Sequence, residues 1–593
     1  MTAILSRPTY VGQPRTRADG KPKVTGGAQY AADTPVEGLL FGVLVGATIA
    51  SGRVKRLNTK EAARAPGVIR VLTHANMPRL GKVQAPPAGE SRHPLQDEEI
   101  RYEGQYIALV VARTLEQARY GAALVRAEYA PAAAATDFLQ LRTQAFTATN
   151  WAEPDSSVGD IESGLARGEI RVDQVYRTAD RHHNAMEPSA TVAEWRKGTL
   201  TIHDATQGVQ FVRQVVSQAL GLPPQKVRVR SPFLGGGFGC KGYVWPHQIL
   251  TAAAARELGR PLKVVLTRAQ DFVGHGYQPA TEQRLEIGAT RDGRLTGIRH
   301  TSLNPTSVAD SHVEYAALTS RTLYACPAIH TRHQVVRVHR STPTPMRAPH
   351  EGPSNVGLEI AMDELAYASG VDPVELRLRN YAETDPTTGK PFSAKGLRAC
   401  YAKGAERFGW SRRTPAPRSM RKGGTLVGWG MASALMPTFR VPAAARITFE
   451  PAGTVLIESS TQEIGTGVYT IMPQIAADVL EIAPDRIRLV LGDTTLPEAA
   501  MTAGSSTTMA VGSAVQAAAA NLKRRIGELA GGSVPPPGEW PDLLRREGLE
   551  RLAAEGTWGP GANASPTGED PEWAMYTFGA ISSTSAAIWG MMV

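Results

Sequence analysis

The sequence predicts an α+β / α/β protein: one small mixed domain followed by two related mixed α/β domains, the second of them incomplete. Three observations predict this. Strand-like apolar runs alternate with helix-like amphipathic runs along most of the 593 residues. One pattern of strand, helix and strand recurs at a constant offset, as in a duplicated unit. Hydrophobic content of 42% against 20% charged places the chain among folded globular proteins.

The elements follow in order. Residues 1–17 read as an N-terminal arm and 18–130 as a compact first domain. In that domain Asn58 is positioned to cap a helix through Ala65, and Val68–Leu72 and Gln105–Ala112 read as strands. A helix is expected from Leu115 to Val125. The Ala/Pro-rich and polar stretch 131–168 reads as a linker. Residues 169–400 and 401–593 then form the two related domains.

Their relation lies in one offset. Thr206-Gln207 precedes a helix to Leu220, then Pro224, Lys226, Val227 and Arg228. Thr461-Gln462 precedes a helix to Leu480, then Pro484, Arg486, Ile487 and Arg488. The second copy carries an added Glu463-Ile-Gly-Thr-Gly467. Two copies suggest a site between them. An amphipathic helix is expected from Asn355 to Ala368, closed by Gly370, and Asp372-Pro-Val-Glu375 resembles a capping box. A helix is expected from Ala514 to Ala530. The stretch 531–573 reads as a long loop with one short helix, and Tyr576 starts a strand-like run.

The chemistry concentrates in Ser231-Pro-Phe-Leu-Gly-Gly-Gly-Phe-Gly-Cys-Lys-Gly242, between the strand Lys226–Arg230 and a helix from Pro246 to Leu258 that Gly259 ends. Glycines let a backbone approach a phosphate and present N–H groups to it. Gly237, Gly239 and Gly242 satisfy G-x-G-x-x-G. No acid follows the next strand, Leu262–Thr267, to take a ribose hydroxyl, so a nicotinamide-dependent dehydrogenase has weak support. The P-loop pattern fails at Cys240 and Gly242. Arg347, with prolines close on both sides, is a candidate phosphate clamp or an ordinary surface arginine. Gly504-Ser-Ser-Thr507 before a helix can hold a polar ligand or simply form a cap loop.

Other classes are excluded or disfavoured. No apolar run is long enough to span a bilayer, and Met1–Pro8 lacks an export signal's apolar segment. The net charge of +10 comes from dispersed Lys and Arg. Clusters such as Arg418–Lys422 and Lys523-Arg524-Arg525 lack interleaved aromatics, which points to solvated or subunit-docking surface rather than nucleic acid. The three cysteines, Cys240, Cys326 and Cys400, form no zinc or iron–sulfur pattern. Iron–sulfur chemistry would have to come from another chain.

Taken together, Thr206-Gln207, Gly235–Lys241, Met346-Arg-Ala-Pro349, Ala361–Leu365, Gln462–Gly467 and Gly504–Thr507 resemble, in order, the motifs of the molybdenum-binding subunits of the xanthine dehydrogenase / aldehyde oxidase family. The bacterial aldehyde oxidoreductase type is the nearest resemblance. Residues 18–130 resemble the family's hammerhead domain, and 169–400 and 401–593 its two molybdopterin-binding domains. The resemblance implies a molybdopterin, in bacteria usually the cytosine dinucleotide form. It implies Gln207 near an oxygen ligand of the molybdenum and Gly236, Gly237, Phe238 and Gly239 close to the metal, with Phe238 shaping the substrate pocket. Arg347, Gly465, Thr466, Gly504, Ser505, Ser506 and Thr507 would hold the pterin and its phosphates. No protein side chain would ligate the metal.

The implied reaction hydroxylates an electron-poor carbon with oxygen from water. Electrons leave through iron–sulfur clusters to FAD, each on a partner subunit of a heterotrimer. Purine-oxidising members carry a glutamate where this sequence has Gly242, which favours aldehydes. The family's catalytic glutamate lies in a segment beyond Val593. Glu539 and Glu569 have the wrong context, so no catalytic base is assigned and the chain reads as truncated. A non-catalytic cofactor-binding subunit and a hydroxylase of N-heteroaromatics are the competing readings. A cytoplasmic location, or export with a signal-bearing partner, accompanies them.

Overall fold

The computed structural model describes residues 9–392, 394–439, 441–559, 574–578 and 585–592. The chain divides into two compact units built from separated stretches. Met1–Ala133, His183–Gly276 and Phe439–Trp573 form one, and Ala134–His182, Tyr277–Thr438 and Ala574–Val593 the other.

In the first unit a seven-stranded sheet runs in the order Val227–Arg230, Thr199–Asp204, Ala190–Arg196, Leu262–Val265, Leu40–Gly46, Tyr106–Ala112, Val68–Leu72. Three strands of the N-terminal region thus extend the sheet of the first copy, joined by parallel pairing of Leu40 with Leu262. Leu40, Leu109, Leu200 and Leu262 share one core. Tyr106–Ala112 is buried at every position, as a continuous apolar run inside a sheet requires. A separate three-stranded sheet takes Glu99–Ile100, Gly52–Asn58 and Arg126–Pro131.

Both copies of the repeat are strand–helix–strand crossovers with parallel strands. Thr199–Asp204, the helix Val209–Leu220 and Val227–Arg230 make the first. Val455–Ser459, the helix Val468–Leu480 and Ile487–Leu491 make the second. The second sheet adds Ala443–Phe449 and Leu552–Trp558, with the helix Thr507–Leu529 packed on it through Ala514, Val515, Ala518 and Leu522.

Two expectations change here. The stretch 531–573 contains the expected short helix, Trp540–Arg546, but also the strand Leu552–Trp558, paired along Ala443–Phe449. Gly556 hid that strand: a Cβ there would meet Ala518 N of the helix at 2.2 Å, so packing demands a residue with no strand propensity. The long helix also begins at Thr507 rather than Ala514, because its first turns are built of small and hydroxyl residues that carry little apolar period.

The second unit holds a five-stranded sheet in the order Ser156–Val158, Ile329–Val338, Leu295–Ser307, Thr281–Ala289, Ile170–Thr178. The helix Glu351–Ser369 packs Leu358, Ala361, Met362 and Leu365 against Leu285 and Ile287, and Gly370 ends it with φ +70°. Asp372 caps the helix Pro373–Arg379 by accepting from Val374 and Glu375 N–H, but the expected capping box is only half formed, because the Glu375 carboxylate pairs with Arg379 (2.9 Å) instead. The stretch 131–168, expected as a linker, also supplies the edge strand Ser156–Val158 and the Asp160-capped helix Ile161–Ala166. Gly428–Phe439 pairs antiparallel with Ser585–Met592, and Ala394–Lys395 pairs with Ala574–Phe578, where the strand-like run at Tyr576 falls. Among the described residues no helix is long and apolar enough to cross a membrane.

Candidate functional site

The first unit contains every residue that the sequence assigns to the cofactor except Arg347. Gln207 is the clasp. It is buried, its N–H donates to Lys241 O (2.8 Å), and its carbonyl accepts from Thr502 N–H (2.8 Å). Its side-chain Oε1 accepts from Gly239 N–H (2.9 Å) and its Nε2 donates to Thr502 O (3.0 Å). One Nε2 hydrogen remains. A Cβ on Gly237 would sit 2.3 Å from that Oε1, so glycine is required there for the clasp to close.

The glycine loop is also held from below. Lys241 is buried, and its ammonium donates to Glu187 O (2.7 Å) and Glu187 Oε2 (3.2 Å). The same Oε2 accepts from Gly235 N–H (2.8 Å). Gly236 and Gly239 take φ +98° and +115°, and Phe238, itself 40% exposed, takes φ +54°. A non-glycine residue in that region is strained and marks a backbone over-determined by its surroundings.

This geometry corrects the expectation that the glycine turns offer their amides generally. Gly235, Gly239, Cys240 and Gly242 N–H groups all donate within the protein. Among the described residues, the N–H groups of Gly236, Gly237 and Phe238 have no protein acceptor. The second copy behaves alike. Glu463 is fully buried, and its carboxylate accepts from Gly465 N–H (2.6 Å) and Gly467 N–H (3.0 Å), while exposed Thr466 keeps a free N–H. Gly504 and Ser505 take φ +59° and +55°, their amides also unclaimed, and Ser506 leads into the 23-residue helix Thr507–Leu529. The first N–H groups of a helix lack internal partners and carry its positive dipole end.

The two copies meet directly. Ser231 N–H donates to Gly492 O (2.6 Å), and Leu234 N–H to Glu463 O (3.2 Å). Arg228 and Arg230 both reach Asp493, at 2.6 and 3.2 Å. Beside the glycine loop, Asp271 Oδ1 lies 2.8 Å from His275 Nε2. Burial works to lower the His275 pKa, but Asp271 and neighbouring Cys240 outweigh it and raise it to about 9. Cys240, Cys326 and Cys400 form no disulfide.

Arg347 belongs to the other unit. It is exposed, just ahead of the positive-φ residues Ala348 and His350, and has no ion-pair or hydrogen-bond partner among the described residues. Behind it, burial raises Glu351 to about 8. Glu539 is exposed at the start of the helix Trp540–Arg546, and Glu569 lies outside the described residues. Among the described residues no group of three or more His, Cys, Asp or Glu is placed to hold a metal.

Sequence reasoning missed Glu187, Thr502 and the role of Glu463. The signal for Glu463 was available: an acid two and four residues ahead of glycines in a loop can take their amides. Glu187 and Thr502 carried none, since their partners lie far away in sequence.

Comparison with known proteins agrees along the chain. Residues 25–133 match the model of the aldehyde oxidase and xanthine dehydrogenase a/b hammerhead domain, and residues 144–381 and 403–584 match molybdopterin cofactor-binding domains. The aldehyde oxidoreductase molybdenum-binding subunit PaoC of Escherichia coli O157:H7 is 37% identical over 524 residues, which is 88% of this chain and 71% of that protein. Subunit gamma of the 6-hydroxypseudooxynicotine dehydrogenase complex of Paenarthrobacter nicotinovorans is 26% identical over 88% of this chain and 70% of its own. CO dehydrogenase from Oligotropha carboxidovorans superposes with a TM-score of 0.82 at 21% identity, over 95% of this chain and 79% of that one. Aldehyde oxidoreductase from Desulfovibrio gigas gives 0.81 at 21% identity, over 98% and 66%. At such identities the structures speak for the fold alone.

Proposed function

This chain belongs to the xanthine dehydrogenase / aldehyde oxidase family as a molybdopterin-binding subunit, and from that premise we propose that it oxidises aldehydes to carboxylic acids and passes the electrons to iron–sulfur and FAD subunits. The cofactor proposed is molybdopterin in its cytosine dinucleotide form. When bound, it supplies the two-electron chemistry that hydroxylates the aldehyde carbon with oxygen from water.

The observation that carries this reading is the set of unclaimed amides. In a loop region where neighbouring N–H groups are satisfied, those of Gly236, Gly237, Phe238, Thr466, Gly504 and Ser505 have no protein acceptor among the described residues. Such groups are the donors a polyanion needs. Gly236 to Phe238 are assigned to the pterin end, together with the remaining Nε2 hydrogen of Gln207. Gly465, Thr466 and the Gly504–Thr507 turn are assigned to the phosphates, and Gly239 to keeping the loop closed on Gln207.

Aldehyde preference rests on Gly242 and Phe238. A Cβ at Gly242 would meet Met501 Sδ at 2.8 Å, so a thioether stands against the position where an acid would be needed for a purine. A polar ring would leave its groups unpaired there. No residue is assigned the proton transfer.

The test is the complex made with iron–sulfur and FAD partner subunits. Molybdenum stoichiometric with the chain and aldehyde-dependent reduction of an acceptor dye are expected. Absence of molybdenum overturns the cofactor assignment. Molybdenum with no turnover of aliphatic or aromatic aldehydes overturns the substrate assignment.

A further inference from the structure

The second glycine loop is held from outside by the N-terminal segment. Glu463, which gathers the Gly465 and Gly467 amides, is fully buried. A buried carboxylate needs a compensating charge. Among the described residues its cations within 4 Å are Arg17, at 3.3 Å, and Lys23, at 3.9 Å. Arg17 also donates through Nη1 to Gly465 O (2.8 Å), so one guanidinium grips both the loop's carboxylate and its backbone. Asp19, whose side chain is 1% exposed, orients that guanidinium through two hydrogen bonds, at 3.1 and 2.8 Å, and pairs with Lys23. Burial pushes the Asp19 carboxyl up, but hydrogen bonds from Arg17 and Lys23 outweigh it and hold it below the usual range.

The rest of the arm grips the following helix instead. Tyr10 and Val11 N–H donate to Asp478, Gln474 donates to Tyr10 O (2.7 Å), and Ala18 N–H donates to Thr470 Oγ1 (3.0 Å). Two attachments are therefore distinct: residues 10–13 hold Gln474 and Asp478 of the helix Val468–Leu480, while the Arg17 and Lys23 side chains reach the loop ahead of it and Ala18 touches only the helix's first turn.

We propose that Arg17, oriented by Asp19, is a positioning residue that sets the shape of the Glu463–Gly467 loop through the Glu463 carboxylate. Without it, Glu463 loses the nearer of its two cations. The carboxylate then turns toward water, and the Gly465 and Gly467 amides lose their acceptor. Thr466, which lies between them, moves with the loop. What the loop holds is taken from the proposed function; that the arm shapes it is not.

The test is hydrogen exchange of the full chain in its complex. Arg17→Ala is expected to speed exchange across residues 463–467 about tenfold, the scale of one charged hydrogen bond. Arg17→Lys, which keeps the charge but not the fork, is expected to restore part of the protection. Asp478→Ala is expected to loosen residues 10–13 and leave 463–467 as in the wild type. Unchanged exchange in Arg17→Ala overturns the proposal. Equal loosening of the loop in Asp478→Ala also overturns it, since the arm would then act only as a cover. A wild-type complex without molybdenum overturns the proposed function and leaves this inference standing, because exchange is read without the cofactor.

Discussion

The two copies of the crossover in the first unit keep the same strands and helix but hold their loops differently. In the first copy the glycine loop follows the second strand, and it is braced by Gln207, from the turn between first strand and helix, and by the Lys241–Glu187 pair. In the second, a carboxylate inside the loop takes the amides and the N-terminal arm neutralises it. The helices also end differently. Gly221 takes the left-handed position after the first, at φ +62°, and Glu481 takes it after the second, at φ +58°. Duplicated elements stay alike because their apolar faces must be buried. Loops are free of that demand and diverge.

The largest expected effect comes from breaking the seam between the copies. Gly492 has φ +72°, and a Cβ there would lie 2.2 Å from Ser231 O. Gly492→Ala is expected to destabilise by about 3 kcal/mol or more, measured by denaturant unfolding. Gly221→Ala, with nothing within 4 Å of its Cβ, is the control and is expected to lose only about 1 kcal/mol.

Next is pH, which acts on the two loops with opposite sign. His275, behind the first loop, is raised from 6.5 to about 9. Its contribution is full below pH 6.5 and disappears as pH rises through about 9. The loss is expected to be on the order of 3 kcal/mol, and His275→Gln should flatten the alkaline limb of the denaturation midpoint. Asp19, beneath the second loop, is lowered. Its contribution is present above the ordinary carboxylate range and is lost as pH falls through its folded value. Asp19→Asn should therefore flatten the acid limb and leave the alkaline one.

The smallest effect exchanges the helix ends. Glu481→Gly is expected to gain about 0.5 kcal/mol from the relieved backbone, net of its exposed pair with Lys523 at 2.9 Å. Gly221→Glu is expected to lose about 1 kcal/mol. A change of the wrong sign in Glu481→Gly would mean the ion pair outweighs the strain.

Much of the architecture was legible in the residues. Val68–Leu72 and Pro246–Leu258 fall at the expected bounds, and both helices of the repeat end at Leu220 and Leu480 as read. Apolar period and terminal glycines are local signals, so they survive in a single sequence. The site was legible as a set of residue types: glycines at positive φ and hydroxyls at a helix start. Which amides are free was not. Gly239 and Gly242 look alike in sequence to Gly236 and Gly237, yet the first two donate within the protein, one of them to Gln207.

The sequence by itself determined the duplicated crossovers, the glycine-rich loops between their strands and helices, and the absence of a cysteine pattern for metal, because each is written in neighbouring residues. Only the tertiary structure decided that the N-terminal strands extend the first copy's sheet, that Gln207 spends its carboxamide on Gly239 and Thr502, and that Arg17 answers the buried charge of Glu463. Hydrogen bonds and charge compensation are satisfied between groups tens to hundreds of residues apart in the chain, and no local pattern announces such a partner.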